Sequence, residues 1–173
     1  MPSRKRQCDD TARDDPGEVG DEFTNHGDDE MTPEQVKLVQ DSFAKVAPIA
    51  GTAADLFYDR LFMIAPEVRS LFPSDLAEQK KKLMQMIATA VTNLHHVEKI
   101  IPAVEDLGRR HAGYGVSPKH YEPVGAALLW TLEQGLGADF TAPVKTAWTE
   151  AYMTLAGVMQ KGAAAATPVA ASA

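Results

Sequence analysis

From position 33 onward, apolar residues recur three and four apart, the period of an amphipathic helix. Val36, Val39, Phe43 and Val46 mark one face of a first helix that should stop near Pro48. Thr32 and Pro33 before it read as an N-cap and a first helical residue. A second helix is predicted over residues 52–65, with Leu56, Phe57, Leu61, Phe62 and Ile64 apolar. A turn at Ala65-Pro66 leads through Val68 to Leu71-Phe72-Pro73, and Ser74 and Asp75 can cap a long helix from about 75 to 95. Its stripe of Leu76, Leu83, Met86, Ile87, Ala90, Val91 and Leu94 keeps close to the helical period. A short helix is expected from Pro102 to His111, ending at Gly113 and Gly115. Two more helices are predicted over about 118–136 and 141–161. No stretch alternates as a strand would, and no repeat is visible, so the fold class is all-α.

The ends differ in composition from this body. Residues 1–30 hold four basic and ten acidic residues and almost no large apolar side chains, which predicts a disordered acidic tail. Met31-Thr32-Pro33-Glu34 resembles a natural start. Residues 163–173 are alanine-rich and are expected to be flexible, which leaves 31–162 as the folded domain. Of the net charge of −7, little belongs to that body: thirteen basic and fourteen acidic residues remain beyond position 30. So near-neutral a body gives no broad basic surface for nucleic acid. No apolar run is long enough to span a membrane, and no secretory leader precedes the first helix. Cys8 is the single cysteine, which excludes an intrachain disulfide framework. A soluble, cytoplasmic protein is expected.

The candidate chemistry centres on His111. Val104, Leu107 and His111 fall three and four apart, so the imidazole shares a face with two aliphatic side chains. Such a histidine is either a satisfied core residue or a ligand to something buried. Tyr58 sits inside the most apolar helix, and Gln79 lies one turn before Leu83, facing the same core stripe. Each alone could be a polar group bonded at the core edge. Three such groups on three helices, all with apolar neighbours, suit a cofactor pocket.

The residues Phe57-Tyr58-Asp59-Arg60-Leu61-Phe62 and Ala65-Pro66-Glu67-Val68-Arg69-Ser70-Leu71-Phe72-Pro73 resemble the second and third helices of bacterial globins. The likeness extends through Gln79-Lys80-Lys81-Lys82-Leu83, Ile101-Pro102, His111, Tyr121-Glu122-Pro123-Val124-Gly125 and Ala147-Trp148 to Tyr152. It is similar above all to single-domain bacterial globins and to the haem domain of flavohaemoglobins. The resemblance implies a three-over-three helical sandwich around haem b. It makes His111 the proximal iron ligand and Phe72 the aromatic that stacks on the porphyrin. Tyr58 and Gln79 become the distal donors, with Leu83 the apolar contact beside the bound gas. Leu107 packs below the cofactor, Lys82 reaches a propionate, and Tyr121 hydrogen-bonds near the proximal histidine. The ligands implied are O2, CO and NO.

Two departures shape the functional expectation. The sequence shows no flavin or nicotinamide domain and no glycine-rich dinucleotide fingerprint, so ferric haem would draw electrons from an external reductase. In flavohaemoglobins a late glutamate joins the proximal histidine and tyrosine. Here Lys161-Gly162-Ala163-Ala164-Ala165 stands in its place, and Glu150 is more than two turns too early. The expectation is reversible O2 binding, with NO dioxygenation to nitrate as the enzymatic extension. A haem-based gas or redox sensor acting through a partner is the alternative. A non-haem helical interaction module would not need His111, Phe72, Tyr58 and Gln79 together. His95 and His96 are read as cations at a helix end, remote from the pocket.

Overall fold

The first helix starts at its expected cap: the Thr32 hydroxyl accepts the Gln35 N–H at 3.2 Å, and the Gln35 side chain accepts the Thr32 N–H at 2.8 Å. Two amides that a helix start leaves unpaired are thereby bonded. In the computed structural model, which describes residues 31–166, this helix is α1 (Pro33–Val46). It is followed by α2 (Ala50–Ile64), α3 (Ala77–Thr92), α4 (Val97–Gly113), α5 (Tyr121–Leu136) and α6 (Ala142–Ala166). Short 3-10 turns join them, and the described residues contain no strand. The tail expected at 1–30 and the segment 167–173 lie outside the described residues.

α1 and α4 both pack on α6, α2 packs along α5, and α2 also meets α3. These pairings form two layers of three, α1, α3 and α4 over α2, α5 and α6. One core cluster joins Val39, Val91, Leu132, Ala147 and Trp148. The Trp148 Nε1–H donates to Ser42 Oγ at 2.9 Å, and that hydroxyl donates to the Leu38 carbonyl at 2.6 Å, so the polar atoms of these two side chains are satisfied. A second cluster joins Phe57, Tyr58, Leu61, Val68 and Ala127 between α2 and α5.

Three boundaries differ from the sequence expectation. α4 begins at Val97, five residues before Pro102, which sits inside it. The proline removes one helical donor, and because Pro102 and Glu98 are exposed, the carbonyl left over faces water. α3 ends at Thr92; a 3-10 turn over Leu94–His96 then buries Leu94 and leaves His95 and His96 exposed. α6 runs on to Ala166, through alanines expected to be flexible, as the high helix propensity of alanine favours.

Candidate functional site

His111 lies in the last turn of α4, and its Nδ1 is 2.9 Å from the Leu107 carbonyl oxygen. A carbonyl only accepts, so Nδ1 carries the hydrogen and Nε2 keeps a free lone pair. Burial lowers the His111 pKa from its ordinary value; the Leu107 carbonyl opposes that shift and Arg110 adds to it. The ring is therefore neutral at neutral pH, the form a metal requires. Gly115 stops the helix, with φ +89°. Val116 N–H donates to the His111 carbonyl and Gly115 N–H to the Ala112 carbonyl, each at 3.0 Å, a Schellman cap.

The position of α4 is set by contact without side chains. A Cβ on Gly108 would collide with the Met159 backbone, and a Cβ on Gly162 with the Glu105 backbone. Two glycines, one on each helix, thus let α4 and α6 touch main chain to main chain. Gly108 is one turn before His111.

α2 and α3 supply another wall. Tyr58 is 2% exposed, and its hydroxyl is hydrogen-bonded to the Gln79 side chain. Burial raises the Tyr58 pKa and the Gln79 bond partly offsets this, so the phenol stays protonated. Phe72 meets Tyr58 edge-on at 5.6 Å between centroids and Phe62 at the same distance. Arg69 locks the following loop: its guanidinium donates to the Phe72, Pro73 and Ser74 carbonyls at 2.9–3.2 Å and lies over the Phe62 ring. Lys80 and Asp55 pair at 2.7 Å, a second tie between α3 and α2.

These walls enclose a cavity of about 280 Å³. At about 30 Å³ per water in the liquid, that is the share of roughly nine molecules, far beyond a packing defect. Tyr58, Phe72, Gln79, Lys82, Leu83, Leu107, His111 and Tyr121 all line it, so every candidate residue converges there. One expected contact differs: His111 bonds Leu107, whereas Tyr121 takes part through its backbone carbonyl, which accepts the Tyr152 hydroxyl. Among the described residues no Asp or Glu lines the cavity, and Glu150 is exposed. Sequence reasoning missed Tyr152, Arg69 and His120. Tyr152 and His120 line the cavity. Tyr152 ended a recognised motif without being given a task, and its ring fills the space beside Gly125. Arg69 carried no signal beyond its place in a loop motif.

The donor set fits an iron porphyrin. The His111 imidazole turns a free Nε2 to a large apolar cavity, the described residues hold no cluster of three His, Cys, Asp or Glu that could complete a metal site, and the other histidine of the lining, His120, has its Nδ1 on the Ser117 N–H. A metal held there must bring its other ligands with it, as a macrocycle does. A family model described as Globin matches residues 55–159. The chain is 29% identical over 131 residues to a flavohemoprotein of Vibrio cholerae, covering 74% of this chain and 33% of that protein. It is 30% identical over 126 residues to a flavohemoprotein of Bacillus subtilis, covering 70% and 31%. A neuroglobin of Dissostichus mawsoni is 26% identical over 148 residues, covering 78% and 93%. The chain spans about a third of the length of the flavohemoproteins it matches. It belongs to the globin family, and that membership implies haem with small gases as its ligands. No helix among the described residues is long and apolar enough to cross a membrane.

Proposed function

We propose that this globin holds haem b through His111, binds O2 reversibly, and oxidises NO to nitrate when an external reductase supplies electrons. The observation that carries the proposal is the His111 imidazole, with Nδ1 committed to Leu107 and Nε2 free on an apolar cavity. When bound, haem supplies a ferrous iron that takes one diatomic ligand and, given O2 and NO together, one electron toward nitrate.

The chain's own residues do the rest. Phe72, Leu83 and Leu107 present apolar surface to the macrocycle and keep water from it. Lys82 offers a cation to one of the cofactor's carboxylates. With the Gln79 amide on the phenol oxygen, the Tyr58 O–H is the donor presented to a polar ligand, and Gln79 holds its ring in place. A bond to a charged acceptor contributes about 1.5–3 kcal/mol. O2, which gains more negative charge than CO, is therefore retained preferentially. Among the described residues no carboxylate lies on the cavity, so the imidazole is supported only by the neutral Leu107 carbonyl, a weaker acceptor than a carboxylate, which favours gas binding over peroxidase-type chemistry.

Replacing Tyr58 by Phe tests this account. O2 dissociation should accelerate by roughly 10–100-fold, with CO dissociation changed much less; an unchanged O2 rate would refute the distal role. Sustained nitrate formation from NO, with reductase and O2 supplied, tests the enzymatic half. A single turnover that stops at ferric protein would reduce the function to binding.

A further inference from the structure

His120 lines the cavity but has no part in the chemistry above. Resting on the haem reading, we propose that His120 is a carboxylate-binding residue of this pocket, donating its Nε2–H to one acidic side group of the cofactor while Lys82 serves the other.

His120 closes the 3-10 turn Pro118–His120 at the start of α5. Its Nδ1 accepts the Ser117 N–H at 3.1 Å, and Ser117 Oγ is 3.4 Å from the same nitrogen. A backbone N–H only donates, so Nδ1 is bare and the neutral ring carries its hydrogen on Nε2. His111 has the reverse tautomer, because its Nδ1 faces a carbonyl. Two histidines on one cavity thus present opposite chemistry: His111 a lone pair for a metal, His120 a hydrogen for an anion.

Several of the cavity's donors have partners within the protein. Tyr58 bonds Gln79, the Tyr152 hydroxyl bonds the Tyr121 carbonyl, and Trp148 bonds Ser42. Among the described residues, Lys82 Nζ, the Tyr121 hydroxyl and His120 Nε2 have no such partner; Lys82 is exposed, and no acidic side chain lines the cavity to provide an acceptor. The His120 ring is only half-buried, so water serves its Nε2–H until a stronger, charged acceptor displaces it. A ligand carrying its own carboxylates supplies it. The Ser117 cap already holds the ring, so little side-chain freedom is lost on binding.

The test compares haem with haem dimethyl ester, which has the same iron and macrocycle but blocked carboxylates. His120→Glu keeps an acceptor for the Ser117 N–H, as in a capping box, and replaces the donor by a repelling charge. Transfer of cofactor to a scavenger should be about tenfold or more faster from this variant than from wild type for haem, and unchanged for the ester. Equal acceleration for both, or for neither, overturns the proposal. Circular dichroism of the apo-protein checks folding, and His120→Ala gives the same haem-to-ester comparison if the glutamate variant is misfolded. If neither cofactor gives a Soret band that depends on His111 in otherwise wild-type protein, the haem reading itself fails, which is a separate result.

Discussion

The two walls of the cavity are built by different means. On the α4–α6 side, main chain meets main chain at Gly108 and Gly162, and the His111 imidazole sits one turn from that contact. On the α2–α3 side, contact runs through side chains: an aromatic cluster around Tyr58, the Tyr58–Gln79 bond and the Asp55–Lys80 pair. Backbone contact has no rotamers with which to adjust, so it fixes the place of the His111 imidazole. Side-chain contact can repack by small steps, so the Tyr58–Gln79 wall can adjust to what the cavity holds.

The contrast can be broken most severely at His111. His111→Ala should weaken haem binding by more than about 100-fold, beyond the 10–100-fold typical of residues that merely support a ligand, with the spectrum restored by added imidazole. Persistence of the wild-type ferrous and CO spectra would show that another group holds the iron. Next comes the glycine contact. Gly108→Ala should cost about 2–3 kcal/mol in urea unfolding, because the new methyl meets the Met159 backbone. Gly157 on α6 has open space around it, so Gly157→Ala should stabilise by roughly 0.5–1 kcal/mol. If the two alanines behaved alike, the backbone-contact account would be wrong. The side-chain wall should respond more mildly. Gln79→Leu leaves the Tyr58 phenol without its partner and should speed O2 release about fivefold, on the scale of one neutral hydrogen bond. Smallest of all, Lys80→Met should shift stability by less than about 1 kcal/mol, since Asp55 and Lys80 are both partly exposed. A loss above 2 kcal/mol would mean that this pair anchors α3 itself.

Much of this was legible in the sequence because burial leaves a periodic trace. The stripes of α1 and α3 placed those helices, and Tyr58, Gln79 and His111 stood out as polar groups on apolar faces. Local chemistry was legible too, as at Thr32 and Gly115. What escaped notice depends on distant partners or on missing atoms. Gly108 and Gly162 lie on different helices, and a glycine in a helix carries no sign of what it touches. Pro102 looked like a helix start because most prolines in helices are; here an exposed carbonyl makes its interior position tolerable. The tautomer of His120 follows from a backbone amide three residues away, and no side-chain pattern encodes that.

The glycine contact also acts as a fulcrum. Measured along α4 at about 1.5 Å per residue, Gly108 is roughly 4.5 Å from His111 but about 16 Å from Val97. A tilt of α4 about that point is therefore an unequal lever: a swing that carries its first turn several ångströms displaces the imidazole by about a quarter as much. Pro102, which lacks a helical hydrogen bond, lies on the long arm. The opening turns of α4 can thus breathe with solvent while the His111 end stays nearly still. Amide exchange should run fast at Lys99–Ile101 and slow at Gly108–His111, without any accompanying change in the colour of the loaded protein.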